Sequence, residues 1–191
     1  MYTETIARCW PGIWTAGADA LPHNLEKPFR EDNWEKAKQI PITKSMLHGE
    51  WKELPDDHPL SKRFQRNMPQ LFQATEPGAS LEFTLKGSSA SVFDLLGPDG
   101  GQLKVQVDDE EPKLVKKIDS YCTYSRMAKT SVIAESEPSE YKISISLTPE
   151  KLNKREILFE KNREFFDKNP EKFTEHTWFA GSLLVIGEVA E

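Results

Sequence analysis

Cysteine is scarce in this sequence of 191 residues, with only Cys9 and Cys122 present. Two thiols are too few for a disulfide framework, and too few for a structural zinc site built on thiolates. Free cysteine is among the most buried residue types, so we expect both side chains to be buried apolar thiols. The thiol count therefore excludes a disulfide-stapled small fold and leaves the redox compartment open.

The sequence also lacks an excess of positive charge and any long apolar run. It has 25 Lys and Arg residues and 31 Asp and Glu residues, which gives a formal net charge of -6. General attraction to nucleic acid or to an anionic membrane is therefore not expected. No apolar stretch approaches a membrane span, and the start Met-Tyr-Thr-Glu-Thr lacks the basic and apolar regions of a signal peptide. The charged share of 29% predicts a soluble protein.

Recognisable catalytic motifs are missing as well. No serine lies in a G-x-S-x-G elbow, no Gly-Asp-Ser block occurs, and the position three before His58 is Pro55 rather than aspartate. The glycine-rich segment Gly97–Gly101 lies between two predicted strands, which favours a turn over a phosphate-binding loop. The acidic run Asp108–Glu111 lacks the ligand spacing of known calcium loops and favours a solvated hairpin tip, with calcium as the alternative. We expect no catalytic residue, no metal and no cofactor.

Alternating apolar and polar residues dominate the chain from position 77 onward. This period-2 pattern predicts a strand at Leu81–Leu85, a turn at Gly87 and a second strand at Ala90–Leu96. Six or seven strands joined mostly by short turns, without βα units, predict an all-β antiparallel sandwich or jelly roll. A charged helical insertion is predicted at Pro149–Asn169. The remaining predicted strands cover residues 103–107, 114–118, 121–127, 141–147 and 182–189.

The first 70 residues have a different character. Tyr2–Trp10 carries apolar residues on one helical face, and Pro11-Gly12 is expected to end that helix. Prolines and isolated aromatics then crowd the chain up to Pro69, which predicts an extended segment with an early strand at Ser45–Trp51. We therefore predict an N-terminal helix and extended segment over 1–70, packing on a sandwich over 71–191.

A polar and aromatic run is the strongest candidate for ligand binding. It reads Asp119-x-Tyr121-Cys122-x-Tyr124-x-Arg126, and a regular strand would point Tyr121 and Tyr124 to opposite faces, one of them into the core. The chain also has five tryptophans. Exposed tryptophans would stack on sugar rings, whereas buried ones would pin the proline-rich segment onto the sandwich. Composition alone leaves both functions open.

Part of the sequence resembles a known kind of domain. Leu71 to Arg126, and again Trp178 to Gly187, resemble the non-catalytic β-sandwich that accompanies certain SGNH/GDSL-type serine hydrolases, including bacterial carbohydrate esterases. The charged insertion after Leu147 and the acidic tip, where a tighter Asp-Gly turn is usual, depart from that pattern. The resemblance rests on four blocks, in order: Pro77–Gly87, Leu96–Gly101, Val105–Asp108 and Tyr121–Arg126.

The resemblance implies a non-catalytic accessory domain that packs on an SGNH-type catalytic domain and could contribute to glycan binding. That catalytic domain would lie in the same polypeptide or in an adjacent gene, and the location would be secreted or periplasmic. The segment Met1–Ile6 looks like the last helix of such a catalytic domain, so that the chain would begin just after the catalytic machinery.

The resemblance also implies where a ligand would bind. Asp119, Tyr121, Tyr124 and Arg126 are the candidates for a polar binding surface, and Trp178 is the candidate stacking ring. Two other functions stay open, namely a free-standing carbohydrate-binding module and a structural interaction domain without a small ligand.

Overall fold

The computed structural model describes residues 2–15, 34–134 and 137–190. The chain divides into two compact units, residues 1–33 and 34–191. In the first unit, helix α1 spans Tyr2–Thr15. The prediction that Pro11 ends this helix is wrong, since the missing proline N–H costs the helix one hydrogen bond but the chain stays helical on both sides. Residues 16–33 of the predicted extended segment lie outside the described residues.

The second unit is an antiparallel β-sandwich of the jelly-roll kind, which confirms the predicted fold class. In its described part, ten strands are paired antiparallel. They are β1 (Ala37–Pro41), β2 (Leu47–His48), β3 (Lys52–Glu53), β4 (Phe72–Ala74), β5 (Ser80–Leu96), β6 (Gln102–Val107), β7 (Lys113–Lys116), β8 (Arg126–Ile133), β9 (Ser139–Leu147) and β10 (Trp178–Ala190).

Short helices connect some of these strands. The predicted helical insertion is confirmed, because α3 and α4 both lie within it. The helices are α2 (Pro59–Phe64), α3 (Lys154–Ile157) and α4 (Glu160–Lys168), with single 3-10 turns at Trp34–Lys36, Lys44–Met46 and Pro170–Phe173.

Strand β5 pairs with different neighbours along its length. Its residues 80–87 pair with β9 and its residues 90–96 pair with β8, while β10 follows it along the opposite edge. The predicted turn at Gly87 is therefore wrong. Glycine is needed there for another reason, because a Cβ on Gly87 would lie 2.2 Å from the carbonyl oxygen of Ile186. Close approach of β5 and β10, rather than a chain reversal, explains the residue.

The apolar alternate residues of the two sheets meet in one main core. Burying a Leu or Ile side chain fully contributes roughly 1.5–3 kcal/mol, so these positions supply most of the fold's stabilisation. A second apolar cluster lies under α2 and includes Phe64, and a third lies under α3 and α4 and includes Cys122. The fully buried members of the main core include Leu81, Leu85, Val92, Leu103, Ile145 and Leu183.

Residues 34–70 contribute strands to the sandwich. β1 pairs with β10 along five residues, and β2, at the predicted early strand, pairs with β5. The structural division after Asn33 thus differs from the predicted division near residue 70. Trp51 packs edge-on against Trp178, with ring centroids 5.2 Å apart, and so pins this segment to the core.

Candidate binding surface

The loop between β7 and β8 carries three of the predicted site residues, Asp119, Tyr121 and Tyr124, and the fourth, Arg126, is the first residue of β8. The predicted strand over 121–127 is wrong, because this stretch turns and β8 begins only at Arg126. The cause is local: Asp119 Oδ1 accepts a hydrogen bond from the backbone N–H of Tyr121 at 2.9 Å. Such side-chain bonds to nearby backbone offer the chain an alternative to a strand ladder. The loop is therefore held in a turn at its acidic end.

An ion pair joins the two ends of the loop. Nη2 of Arg126 donates to both carboxylate oxygens of Asp119, at 2.7 and 2.6 Å. Partial burial acts to raise the pKa of Asp119, but the backbone N–H of Tyr121 and the Arg126 guanidinium outweigh it and lower the pKa below its ordinary value. Asp119 is thus a carboxylate in a fixed position at neutral pH.

The side chain of Cys122 anchors the same loop in the apolar interior. Its side chain is buried in the third apolar cluster, and its thiol donates to Asp119 Oδ1 at 3.2 Å. Burial raises the pKa of Cys122 above its ordinary value. The expectation of two buried thiols is half wrong, because Cys9 is exposed on α1.

Tyr121 forms an exposed aromatic pair with a residue that the sequence did not single out. Its ring meets that of Phe159 edge-on, with centroids 4.7 Å apart, and 53% of Tyr121 and 43% of Phe159 remain exposed. The backbone N–H of Phe159 donates to the carbonyl of Ser120 at 3.1 Å, which ties the insertion to the loop. Lys161 Nζ lies 6.0 Å from the Tyr121 ring. The insertion thus completes the aromatic part of the site.

Tyr124 is also exposed, at 52%. The prediction that one of the two tyrosines lies in the core is therefore wrong, because its premise of a regular strand fails. The guanidinium of Arg63, from α2, lies 5.5 Å from the Tyr124 ring centroid, within cation–π distance. We call Asp119, Tyr121, Tyr124, Arg126 and Phe159, with their neighbours Arg63 and Lys161, the Tyr121 surface.

The predicted stacking ring Trp178 is not part of this surface. Its exposed fraction is 0%, and its indole N–H donates to Asp94 Oδ2 at 3.2 Å, so the prediction of a surface ring is wrong. The physical reason is its place at the start of β10, where an uninterrupted apolar run is buried on both faces. Trp178 is a core residue that donates a hydrogen bond to a buried carboxylate.

That carboxylate belongs to a buried polar network. Lys117 Nζ lies 2.7 Å from Asp94 Oδ2 and donates to Thr130 Oγ1 at 2.8 Å, and Thr130 Oγ1 donates to Asp94 Oδ2 at 2.6 Å. Asp94 and Lys117 are both buried. Burying a single unpaired charge in a core would be very unfavourable, so each of the two groups depends on the other. Burial outweighs the Lys117 charge and raises the pKa of Asp94. The network links β5, β8 and β10 with Lys117, which lies two residues before Asp119 in the chain.

Other sequence candidates have structural explanations. His58 Nδ1 accepts the backbone N–H of Leu60 at 3.2 Å and caps α2. Asp108, at the acidic tip, accepts the backbone N–H of Lys142 at 2.8 Å. Within the described residues, no group of three or more His, Cys, Asp and Glu could hold a metal ion. In that same part of the chain, no helix is both long and apolar enough to cross a membrane.

Solved structures with a similar fold include carbohydrate esterases. A two-domain esterase active on acetylated mannans matches with a TM-score of 0.62 at 11% identity, over 98% of this chain and 46% of that one. The same kind of enzyme co-crystallised with mannopentaose matches with a TM-score of 0.57 at 13% identity, over 97% and 45%. A family two carbohydrate esterase from Cellvibrio japonicus matches with a TM-score of 0.50 at 12% identity, over 80% and 34%.

These likenesses show the fold. No family model and no curated protein matches the sequence. The chain spans less than half the length of each of these three esterases. The fold of this chain is accordingly similar to that of part of these carbohydrate esterases.

Proposed function

We propose that this chain is a non-catalytic accessory domain of a carbohydrate-active SGNH/GDSL-type esterase, and that its Tyr121 surface contacts the glycan. Two observations support the accessory role. The fold corresponds to less than half of two-domain esterases, and the sequence lacks a nucleophile elbow and a Gly-Asp-Ser block. The partner is an SGNH-type catalytic domain in the same polypeptide or encoded nearby, and the location is secreted or periplasmic.

The observation that carries the glycan contact is the exposed aromatic pair beside a fixed ion pair. Aromatic rings stack on the apolar faces of sugars, while carboxylates and guanidinium groups bond their hydroxyls. Tyr121 and Phe159 supply the rings, and Asp119 supplies a carboxylate whose position is set by Arg126. Because the loop is held by Cys122 and by the insertion, the site is largely formed before a ligand arrives, which lowers the entropy cost of binding.

Calorimetric titration of the isolated chain with oligosaccharides tests this proposal. We would use mannopentaose, its acetylated form, cellopentaose and xylopentaose. Replacing Tyr121 and Phe159 together with alanine removes the exposed pair, and we expect roughly 1–2 kcal/mol of binding free energy to be lost, a five- to thirtyfold weaker affinity.

Trp34→Ala is the matched control. Trp34 is also an exposed ring with a lysine above it, Lys129 Nζ lying 5.6 Å from the ring centroid, but it is not part of the Tyr121 surface. We expect this variant to bind like the unaltered chain. Equal losses in both variants, or none in the Tyr121/Phe159 pair, would refute the assignment of the site.

The same preparations separate the accessory domain from its alternatives. Tight glycan binding by the isolated chain, unaffected by an added SGNH-type catalytic domain, would favour a free-standing binding module. Binding to no glycan, together with stable association with the catalytic domain, would favour a purely structural role. Hydrolysis of p-nitrophenyl acetate at an enzymatic rate, abolished by a serine-directed inhibitor, would contradict the non-catalytic assignment.

A further inference from the structure

A groove lies on the polar face of the sheet formed by β5, β9 and β6, away from the Tyr121 surface. Its volume of about 420 Å³ is in the range of small-molecule sites. The polar lining comes from all three strands and from the segment around β2. The lining residues are Ser45, His48, Glu82, Phe83, Thr84, Gln106, Asp108, Lys142, Ile143 and Ser144.

Strand register builds the floor of this groove. Gln106 of β6 lies opposite Ser144 of β9, and Ser144 lies opposite Glu82 of β5. An amide, a hydroxyl and a carboxylate therefore form a row across three strands, with neighbours roughly 4.8 Å apart. The Nε2 of Gln106 already donates to the carbonyls of Asp108 and Glu110, so its Oε1 is the atom available to a ligand. Thr84 and Lys142, also paired across β5 and β9, begin a second row beside the first. Hydrogen-bonding groups at this spacing suit a ligand that carries many hydroxyls.

The groove carries charges of both signs, and its Glu82 carboxylate is held in place. Glu82 Oε1 accepts from the Ser80 hydroxyl at 2.8 Å and the Ser144 hydroxyl at 3.3 Å, and its Oε2 lies 3.8 Å from His48 Nε2. Lys142, by contrast, forms no ion pair within the described part of the chain. The lining thus presents the carboxylates of Glu82 and Asp108 beside the ammonium group of Lys142, so that ligand hydroxyls find both acceptors and donors.

We propose that this groove is a second binding site, one that takes a neutral oligosaccharide through hydrogen bonds and without ring stacking. Among the described lining residues, Phe83 supplies the aromatic ring, and it is buried. The groove lies at residues 82–84 of β5 and the Tyr121 surface adjoins residue 96, roughly 40 Å apart along the strand. This site shares no lining residue with the one under the proposed function.

Amide shifts in an NMR titration of the isolated chain would test the groove directly. With mannopentaose, cellopentaose or xylopentaose as the probe, we expect saturable shifts at Thr84, Gln106, Lys142 and Ser144. The double variant Gln106→Ala/Ser144→Ala removes two hydrogen-bonding groups, and we expect affinity at the groove to fall about tenfold. Shifts in the loop over 119–126 should stay as they are.

Ser146→Ala is the matched control, because Ser146 lies two residues further along β9 on the same face but does not line the groove. It should leave the affinity unchanged. Groove amides that stay unshifted at millimolar concentrations of every neutral probe, in a folded domain, would overturn the proposal. So would binding of tetragalacturonate alone, weakening with salt. Loop shifts report the Tyr121 surface separately, so failure of one site is distinguishable from failure of the other.

Discussion

Replacing Lys117 with methionine should destabilise the fold strongly at neutral pH. Methionine has nearly the length and volume of the lysine stem, so the change removes the ammonium group and leaves packing almost intact. In the native fold that ammonium lies 2.7 Å from Asp94 Oδ2, with both side chains almost wholly buried. Its loss leaves a buried carboxylate held only by the hydroxyl of Thr130 and the indole N–H of Trp178.

The size of the effect follows from this burial. Breaking a buried ion pair by removing one partner costs about 3–5 kcal/mol, since the remaining charge is uncompensated. A domain of this size loses about 2–4 °C of melting temperature per kcal/mol, so we expect a decrease of roughly 6–20 °C. Burial already raises the pKa of Asp94, and removal of the ammonium raises it further. Such a group stabilises the fold most below its unfolded pKa of 3.8 and progressively less as pH rises towards the folded value.

Urea unfolding followed by tryptophan fluorescence would measure both effects. We expect the difference between Lys117→Met and the unaltered chain to be large at neutral pH and smaller at about pH 5, where Asp94 takes up a proton more readily. The double variant Lys117→Met/Asp94→Asn has no buried charge and should recover part of the loss. A cost below about 1 kcal/mol for the single variant, or strictly additive losses in the double, would refute the account of this pair.

Two further predictions concern titratable groups outside this network. Burial lowers the pKa of Lys154 to about 8 from its ordinary value of 10.5. Between these two pH values Lys154 is protonated in the unfolded chain but largely deprotonated in the folded one, so the free energy of unfolding should rise with pH across that interval. Urea unfolding at a series of pH values would show this rise, and Lys154→Met should abolish it; an equal rise in the variant would contradict the assignment. Ellman's reagent should modify Cys9 quickly in the folded chain and Cys122 only after unfolding, because Cys122 is buried and burial raises its pKa. Two thiols reacting at one rate under native conditions would show that the loop opens freely.

The strands were predictable because burial of one sheet face makes apolar residues recur at every second position of the sequence. Tyr141, Ile143, Ile145 and Leu147 alternate without a break, and the structure places them on one strand, β9. Gly87 misled the prediction because a glycine between strands is typical of a turn. What requires glycine there is the backbone of β10, about 100 residues further along the chain, and no local pattern contains that contact.

Only part of the candidate site was predicted, because some of its contacts also join residues that are far apart in the sequence. Asp119 and Arg126 were identified as neighbours in sequence, and their ion pair follows from a turn that periodicity does not describe. Phe159 was missed because its position beside Tyr121 depends on how the insertion folds back onto the loop. For Trp178 a signal was present, since the run Trp178–Ala180 is apolar at successive positions and so indicates burial on both faces.

Strand β10 also determines when the nascent chain can complete its sheet during synthesis. It pairs with β1, β4 and β5, so three earlier strands each keep an open hydrogen-bonding edge until residues 178–190 have emerged. Open edges invite pairing with other nascent chains, and long-range pairing such as that of Thr84 with Ala190 makes closure slow. Chaperone demand during synthesis should accordingly fall abruptly once this segment leaves the exit tunnel.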